Sequence, residues 1–202
     1  ETMSEINTER DRELVQKSLK GDAKAFEALV RHYQVLVLTV VHRTLQDQEA
    51  ARDITQETFV KAFRALKTFD GKRSFKTWLL AIASNACIDY LRSRSSKGAL
   101  SLEKILEEEP YLEQSFATAH KTSPEEEAEM NLFITKLSWA LSLIPLRYRQ
   151  SFILRYQFDL TYEEISQVMN ENENTVRTLL HRAKERLRKL ILETKNPFPN
   201  LE

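Results

Sequence analysis

The chain has 202 residues, 42% of them hydrophobic, and its 30 basic and 30 acidic side chains leave no formal net charge. That length buries a real core in one large or two small domains, while the charge balance excludes a global field, so any contact with nucleic acid has to come from local patches. A single cysteine, Cys87, excludes an intrachain disulfide and a multi-cysteine zinc site, and three glycines are too few for phosphate-cradling loops or dinucleotide turns.

Helical periodicity dominates, and strand-like alternation is nowhere sustained. Glu1 and Thr2 precede Met3 as a cloning scar, and residues 1–8 read as a tail. Asp22 is placed to cap a helix whose apolar stripe runs through Phe26, Leu29, Tyr33, Val37 and Val41. Asp47 is placed to cap a second, with Ala51, Ile54, Phe59, Ala62, Phe63 and Leu66 inward. The segment "KTFDGKR", Lys67 to Arg73, breaks the pattern at Asp-Gly. Ser74 opens a third helix bearing Trp78, Leu79, Ile82, Ala83, Ala86 and Tyr90, and this first domain, residues 9–97, ends in a basic, serine-rich stretch.

Residues 98–122 mix serines and acids and read as an acidic flexible linker with a short helix around Leu102 to Glu108. An acidic segment of this kind is also able to occupy a basic channel as a nucleic-acid mimic. The second domain, residues 123–193, opens with Ser123, Pro124 and Glu126 as cap, first-turn proline and capping-box acid. Its first helix carries Leu132, Phe133, Leu137, Ala140, Leu141 and Ile144 before Pro145 stops it. A short helix with Phe152, Ile153 and Tyr156 follows, then a second capping box at Thr161 and Glu164. Residues 194–202 are a tail.

The stretch from Thr161 to Leu190 has helix-turn-helix proportions. At about 100° per residue, Val176, Leu180, Ala183, Leu187 and Leu190 share one side of the last helix. Arg177, Thr178, His181, Arg182 and Arg188 lie on the other. Asn170 suits the left-handed turn position, and Asn172 or Asn174 the cap of the second helix. A solvated amphipathic pair is the plain alternative, but caps, turn length and basic face agree on a major-groove reader. In the first domain the cations Lys72, Arg73 and Lys76 surround a break flanked by Phe69, Phe75, Trp78 and Tyr90. Aromatics interleaved with cations suit unstacked single-stranded bases, although Trp78 and Tyr90 also fit a core.

The four histidines are scattered, and neither GxSxG nor HExxH occurs, so no catalytic residue, metal site or cofactor is expected. No apolar run approaches a membrane span and no signal-peptide core is present, so the chain reads as cytoplasmic, with no membrane insertion of its own.

Three ordered stretches, "DITQETFVKAFRAL" (Asp53 to Leu66), "FKTWLLAIASNACIDYLRSR" (Phe75 to Arg94) and "LTYEEISQVMNENENTVRTLLHRAKERLRK" (Leu160 to Lys189), resemble the extracytoplasmic-function (ECF) group of bacterial sigma factors. The resemblance runs from about Arg10 to Leu192. It implies an all-α, non-catalytic initiation subunit of RNA polymerase with two small domains, sigma-2 and sigma-4, the latter with the helix-turn-helix. By position, it implies docking of Asp53, Gln56, Glu57 and Phe59 on clamp helices of the largest subunit of core RNA polymerase, within partners that include the beta and beta-prime subunits. It likewise implies that Phe69, the loop to Phe75, and Asn85 take a flipped base of the single-stranded minus-10 element, and that Arg177, Thr178, His181 and Arg182 read the double-stranded minus-35 element. An anti-sigma factor is an implied further partner, and the linker corresponds to the segment near the RNA exit path. Two departures stand out: Ala81 and Leu179 occupy positions where the family often has arginine. A stand-alone helix-turn-helix regulator is the main alternative, and a module binding an acidic protein a further one.

Overall fold

The computed structural model describes residues 3–96 and 124–193, all as helices and short connections, with no strand among them. Eight α-helices follow in chain order: α1 Met3–Leu19, α2 Ala23–Leu45, α3 Gln48–Ala65, α4 Phe75–Ser96, α5 Pro124–Leu143, α6 Leu146–Tyr156, α7 Tyr162–Met169 and α8 Glu173–Glu193. The linker, its expected short helix, Ser123 and the tail from residue 194 lie outside the described residues.

Local chemistry sets the helix starts. Asp22 accepts from the Lys24 and Ala25 amides and Asp47 from the Ala50 amide, so each satisfies N–H groups that a helix start leaves idle. Ser74 does the same at α4 through the Thr77 amide at 3.1 Å. α2 ends at Gln46, which takes the left-handed conformation with φ of 57°. Gly71, at φ of 70°, turns the chain between α3 and α4, where a side chain would be strained.

Helices α1 to α4 close on one apolar core that includes Leu29, Val37, Val41, Ala62, Phe75 and Leu79. Each such large side chain contributes about 1.5–3 kcal/mol by leaving water. α1 was not legible from periodicity: it starts at Met3, inside the stretch expected to be a tail, and is pinned by Val15 and by Asp11, which accepts from the buried Tyr33 hydroxyl. Burial raises the Asp11 pKa, against the lowering effect of that hydrogen bond and of His32 and Arg10. In α5 to α8, Ala140, Leu141, Ile144, Ala183 and Leu187 form a second cluster.

A third cluster joins the two halves: Val40 of α2 and Leu80 of α4 pack with Leu154, Leu160, Ile165, Val168, Val176 and Leu180. α7 packs against α4, and α6 against α2. Here the apolar stripe of a helix-turn-helix is completed partly by the neighbouring unit.

Candidate nucleic-acid and polymerase interfaces

On α3, Asp53, Gln56 and Glu57 are exposed along one face, and Glu57 pairs with Lys61 at 2.7 Å. Phe59 does not join them. It is only 9% exposed and belongs to the core of the first unit, because its position on the wheel faces α2 and α4. The large apolar side chains on the exposed face are instead Val60 and Phe63, one and two turns beyond Gln56. Phe63, expected inward, is 57% exposed and meets the Phe26 ring edge-on at 4.9 Å. The signal available in the sequence was the period itself: Gln56, Val60 and Phe63 step by four and three residues.

The break between α3 and α4 brings an aromatic cluster beside a small polar recess. Phe69 is half-buried, its ring centroid 5.3 Å from that of Trp78 and 5.8 Å from that of Phe75. Trp78 itself is a largely buried wall, in keeping with a core role as well as a lining one. A recess of about 210 Å³ opens among Thr68, Asp70, Lys72, Arg73, Trp78 and, from α7, Gln167. Asp70 shapes the loop by accepting from the Lys72 amide at 3.1 Å, and its other oxygen lies 3.7 Å from the Lys72 ammonium. Phe69, Lys72, Arg73 and Trp78 therefore come together. Lys76 sits half-buried on the first turn of α4, and Asn85 is exposed two turns beyond Trp78, outside the lining of that recess. Ala81 is buried on the α4 face turned toward the second unit, so an arginine there would have to displace packing rather than reach into solvent.

In the second unit, Thr161 and Glu164 form the reciprocal capping box, with bonds of 2.8 and 3.1 Å. Asn170 takes the left-handed turn position at φ of 52°. Asn172, not Asn174, caps α8 by accepting from the Thr175 amide at 2.8 Å. These devices leave one face of α8 in solvent. Arg177, Thr178, His181 and Arg182 are all exposed on it, and Leu179 is half-buried at its flank.

The side chains of that face are held by neighbours. Arg177 lies over the Tyr162 ring at 4.7 Å and 3.5 Å from Glu173, the Thr178 hydroxyl donates to the Asn174 carbonyl, and His181 lies 3.3 Å from Glu185. Lys184 and Arg186 are drawn the other way, over Tyr156 at 4.9 Å and Tyr148 at 5.0 Å. Two aromatic rings of α6 thus hold Lys184 and Arg186 against the fold, while Tyr162 of α7 holds Arg177.

Family models match both units: sigma-70 region 2 over residues 29–97 and sigma-70 region 4 over residues 136–187. The chain is 32% identical over 186 residues to the RNA polymerase sigma-H factor of Pseudomonas aeruginosa, covering 92% of this chain and 96% of that one. It is 35% identical over 180 residues to the ECF RNA polymerase sigma-E factor of Escherichia coli, covering 87% and 91%, respectively. Among solved structures, CnrH in complex with the cytosolic domain of CnrY has a similar fold, with TM-score 0.63 at 22% identity over 93% of this chain and 99% of that one. So does the sigma factor RpoE of Bartonella quintana, bound there to the anti-sigma factor NepR, with TM-score 0.62 at 19% identity over 86% and 100%. With both family regions in order and relatives above 30% identity along nearly their full length, the chain belongs to the ECF group of RNA polymerase sigma factors in the sigma-70 family.

Proposed function

We propose that the chain binds bacterial core RNA polymerase and directs promoter-specific initiation through separate surfaces on its two units. The exposed α3 face of Asp53, Gln56 and Glu57, extended by Val60 and Phe63, docks on the polymerase. The α3–α4 loop with Phe69, Lys72, Arg73 and Trp78, together with Lys76 and Asn85, takes single-stranded minus-10 DNA by stacking and backbone attraction. Arg177, Thr178, His181 and Arg182 on α8 enter the major groove of the minus-35 duplex. Residues 9–97 and 123–193 are the two functional units, residues 98–122 the connection, and the place of action is the cytoplasm.

The observation that carries this reading is the presence, on one chain, of two cationic surfaces of different construction. One is a polar recess with Trp78 as its aromatic wall, packed from behind by Phe69, and the other a capped helix with a solvent-facing basic side. A stand-alone duplex regulator has no use for the first. Sigma factors are non-enzymatic initiation factors, and we assign this chain no chemistry of its own. No described helix is long and apolar enough to cross a membrane. The complex of RpoE with the anti-sigma factor NepR supports an anti-sigma factor as a partner.

The test is capture of core polymerase by the tagged protein, followed by transcription from a promoter library. Wild type and Phe69→Ala should both capture core, Glu57→Lys should not, and Phe69→Ala should fail to open promoters. Library transcription that is the same with and without the protein would sink the reading.

A further inference from the structure

α1, Met3–Leu19, precedes the region-2 match, which begins at residue 29, and none of the surfaces described above uses it. Its placement is nonetheless specific. It packs on α2 and also touches α4 and the 3-10 turn Leu66–Thr68, which leads directly into Phe69. Val15 enters the core of the first unit and Leu14 packs against it, while Glu9, Arg10, Arg12, Glu13, Gln16, Lys17 and Leu19 stay exposed. One carboxyl goes inward with the apolar pair. Asp11, 5% exposed, accepts from the hydroxyl of Tyr33, itself 5% exposed.

That bond is more than packing asks for. Val15 and Leu14 anchor the helix without it, and a carboxyl taken out of water is costly unless a partner compensates. Burial raises the Asp11 pKa, and burial and then the hydrogen bond to Asp11 push the Tyr33 hydroxyl up, so the phenol keeps its proton and stays a donor. Asp11 accepts it whether ionised or protonated.

Tyr33, tied at its hydroxyl end, is the first of four rings in contact. Its centroid lies 5.6 Å from that of Phe75, which is 2% exposed. Phe75 lies 5.6 Å from Trp78 and 5.8 Å from Phe69, and those two are 5.3 Å apart. The group is thus fixed at one end to α1 and meets the recess at the other, through Trp78. Rings in a close-packed interior hold defined rotamers, so displacing one moves its neighbours. A stacking surface fixed beforehand also loses less freedom when it captures an unstacked base.

We propose that α1 belongs to the promoter-opening apparatus, with the Asp11–Tyr33 bond as the positioning contact that sets the Phe75, Phe69 and Trp78 rings behind and along the minus-10 recess. The proposal rests on the promoter reading above, and its test separates the two. Tyr33→Phe keeps the ring and removes the donor, Asp11→Ala removes the acceptor, and Asp11→Asn keeps an acceptor. In a Trp139→Phe background Trp78 is the single tryptophan, and its emission reports the recess directly. Acrylamide should quench Trp78 more readily in Tyr33→Phe and Asp11→Ala than in wild type or Asp11→Asn, with circular dichroism unchanged for Tyr33→Phe.

The second arm follows 2-aminopurine in the minus-10 element of a promoter recovered from the library, with polymerase saturated by each variant. Tyr33→Phe and Asp11→Ala should open it about three- to tenfold more slowly, the loss expected when one buried hydrogen bond no longer fixes the rings. Asp11→Asn should open it at the wild-type rate, and all three should capture core and bind minus-35 duplex as wild type does. A merely structural role would lower core capture and duplex binding along with opening. Wild-type quenching and opening in Tyr33→Phe, or a loss in Asp11→Asn equal to that in Asp11→Ala, overturns the positioning role while leaving the promoter reading intact. If wild type itself opens no promoter, the promoter reading fails and the proposal falls with it.

Discussion

The guanidinium of Arg177 lies 4.7 Å from the centroid of the Tyr162 ring, so the first helix of the helix-turn-helix holds a side chain of the second. Arg155 lies over the same ring at 5.5 Å. Tyr162→Ala in the assembled polymerase complex should weaken minus-35 duplex binding by about two- to fivefold, equivalent to about 0.5–1 kcal/mol at an exposed site. Tyr162→Phe should keep wild-type affinity. Equal losses for both, measured by fluorescence anisotropy at one salt concentration, would assign the tyrosine hydroxyl rather than the stack.

The sorting of cations on α8 has a salt signature. Arg182 is exposed on the outer face, whereas Lys184 is stacked on Tyr156. Arg182→Gln should reduce the slope of log affinity against log salt by about 1, as expected for one lost phosphate contact. Lys184→Gln should change it much less. The reverse order in a salt titration would turn the helix around.

Two asparagines two positions apart at one turn should respond oppositely to change. Asn172 caps α8, so Asn172→Ala should cost about 1 kcal/mol of stability. Asn170 sits in the left-handed region, where glycine is at ease, so Asn170→Gly should be tolerated without comparable loss. Urea denaturation of the full chain checks both, and matching losses would contradict the cap assignment.

Burial raises the Asp11 pKa above its ordinary 3.8, so the folded chain holds that proton more tightly than the unfolded one. This contribution therefore favours folding at low pH and fades as pH rises through the shifted value. Asp11→Asn keeps an acceptor for the Tyr33 hydroxyl and removes the charge. Its stability difference from wild type should grow in its favour between about pH 4 and pH 7. A flat difference across that range, from urea midpoints, would refute it.

Cys87 is buried, and desolvation pushes its thiol up to about 12. Alkylation of the native protein at neutral pH should be far slower than in denaturant, where the thiol returns to ordinary reactivity. Mass spectrometry after a timed exposure to iodoacetamide reads the ratio, and rapid native labelling would place Cys87 on an accessible surface.

Local signals carried far in this chain. Asp22, Asp47, Ser74, Thr161 and Glu164 all cap where their spacing from apolar stripes places them, because capping depends only on residues two or three positions away. Asn170 takes its left-handed turn for the same reason. Phe63 shows where this stops. An aromatic on a helix is compatible with burial at the edge of a wide stripe; the period puts Phe63 in line with Gln56 and Val60, and the packing of α3 in the first unit leaves Phe59 inside and Phe63 outside. α1 was missed because its apolar positions form no clear stripe; it is held by Val15 and by one buried hydrogen bond to a residue 22 positions away.

The all-helical class, the capped starts of α2, α3, α4 and α7, the basic face of α8 and, through three ordered stretches, the family are all legible along the chain. Each is written in neighbours along the chain or in a pattern of fixed period. Only the packing of the folded units buries Leu80 and Ala81, sets Gln167 in the wall of the recess of the other unit, and brings an Arg149 N–H within 2.8 Å of the Thr44 carbonyl. Thr44 and Arg149 are 105 positions apart, and their pairing depends on how two folded surfaces meet, for which the helical period carries no information.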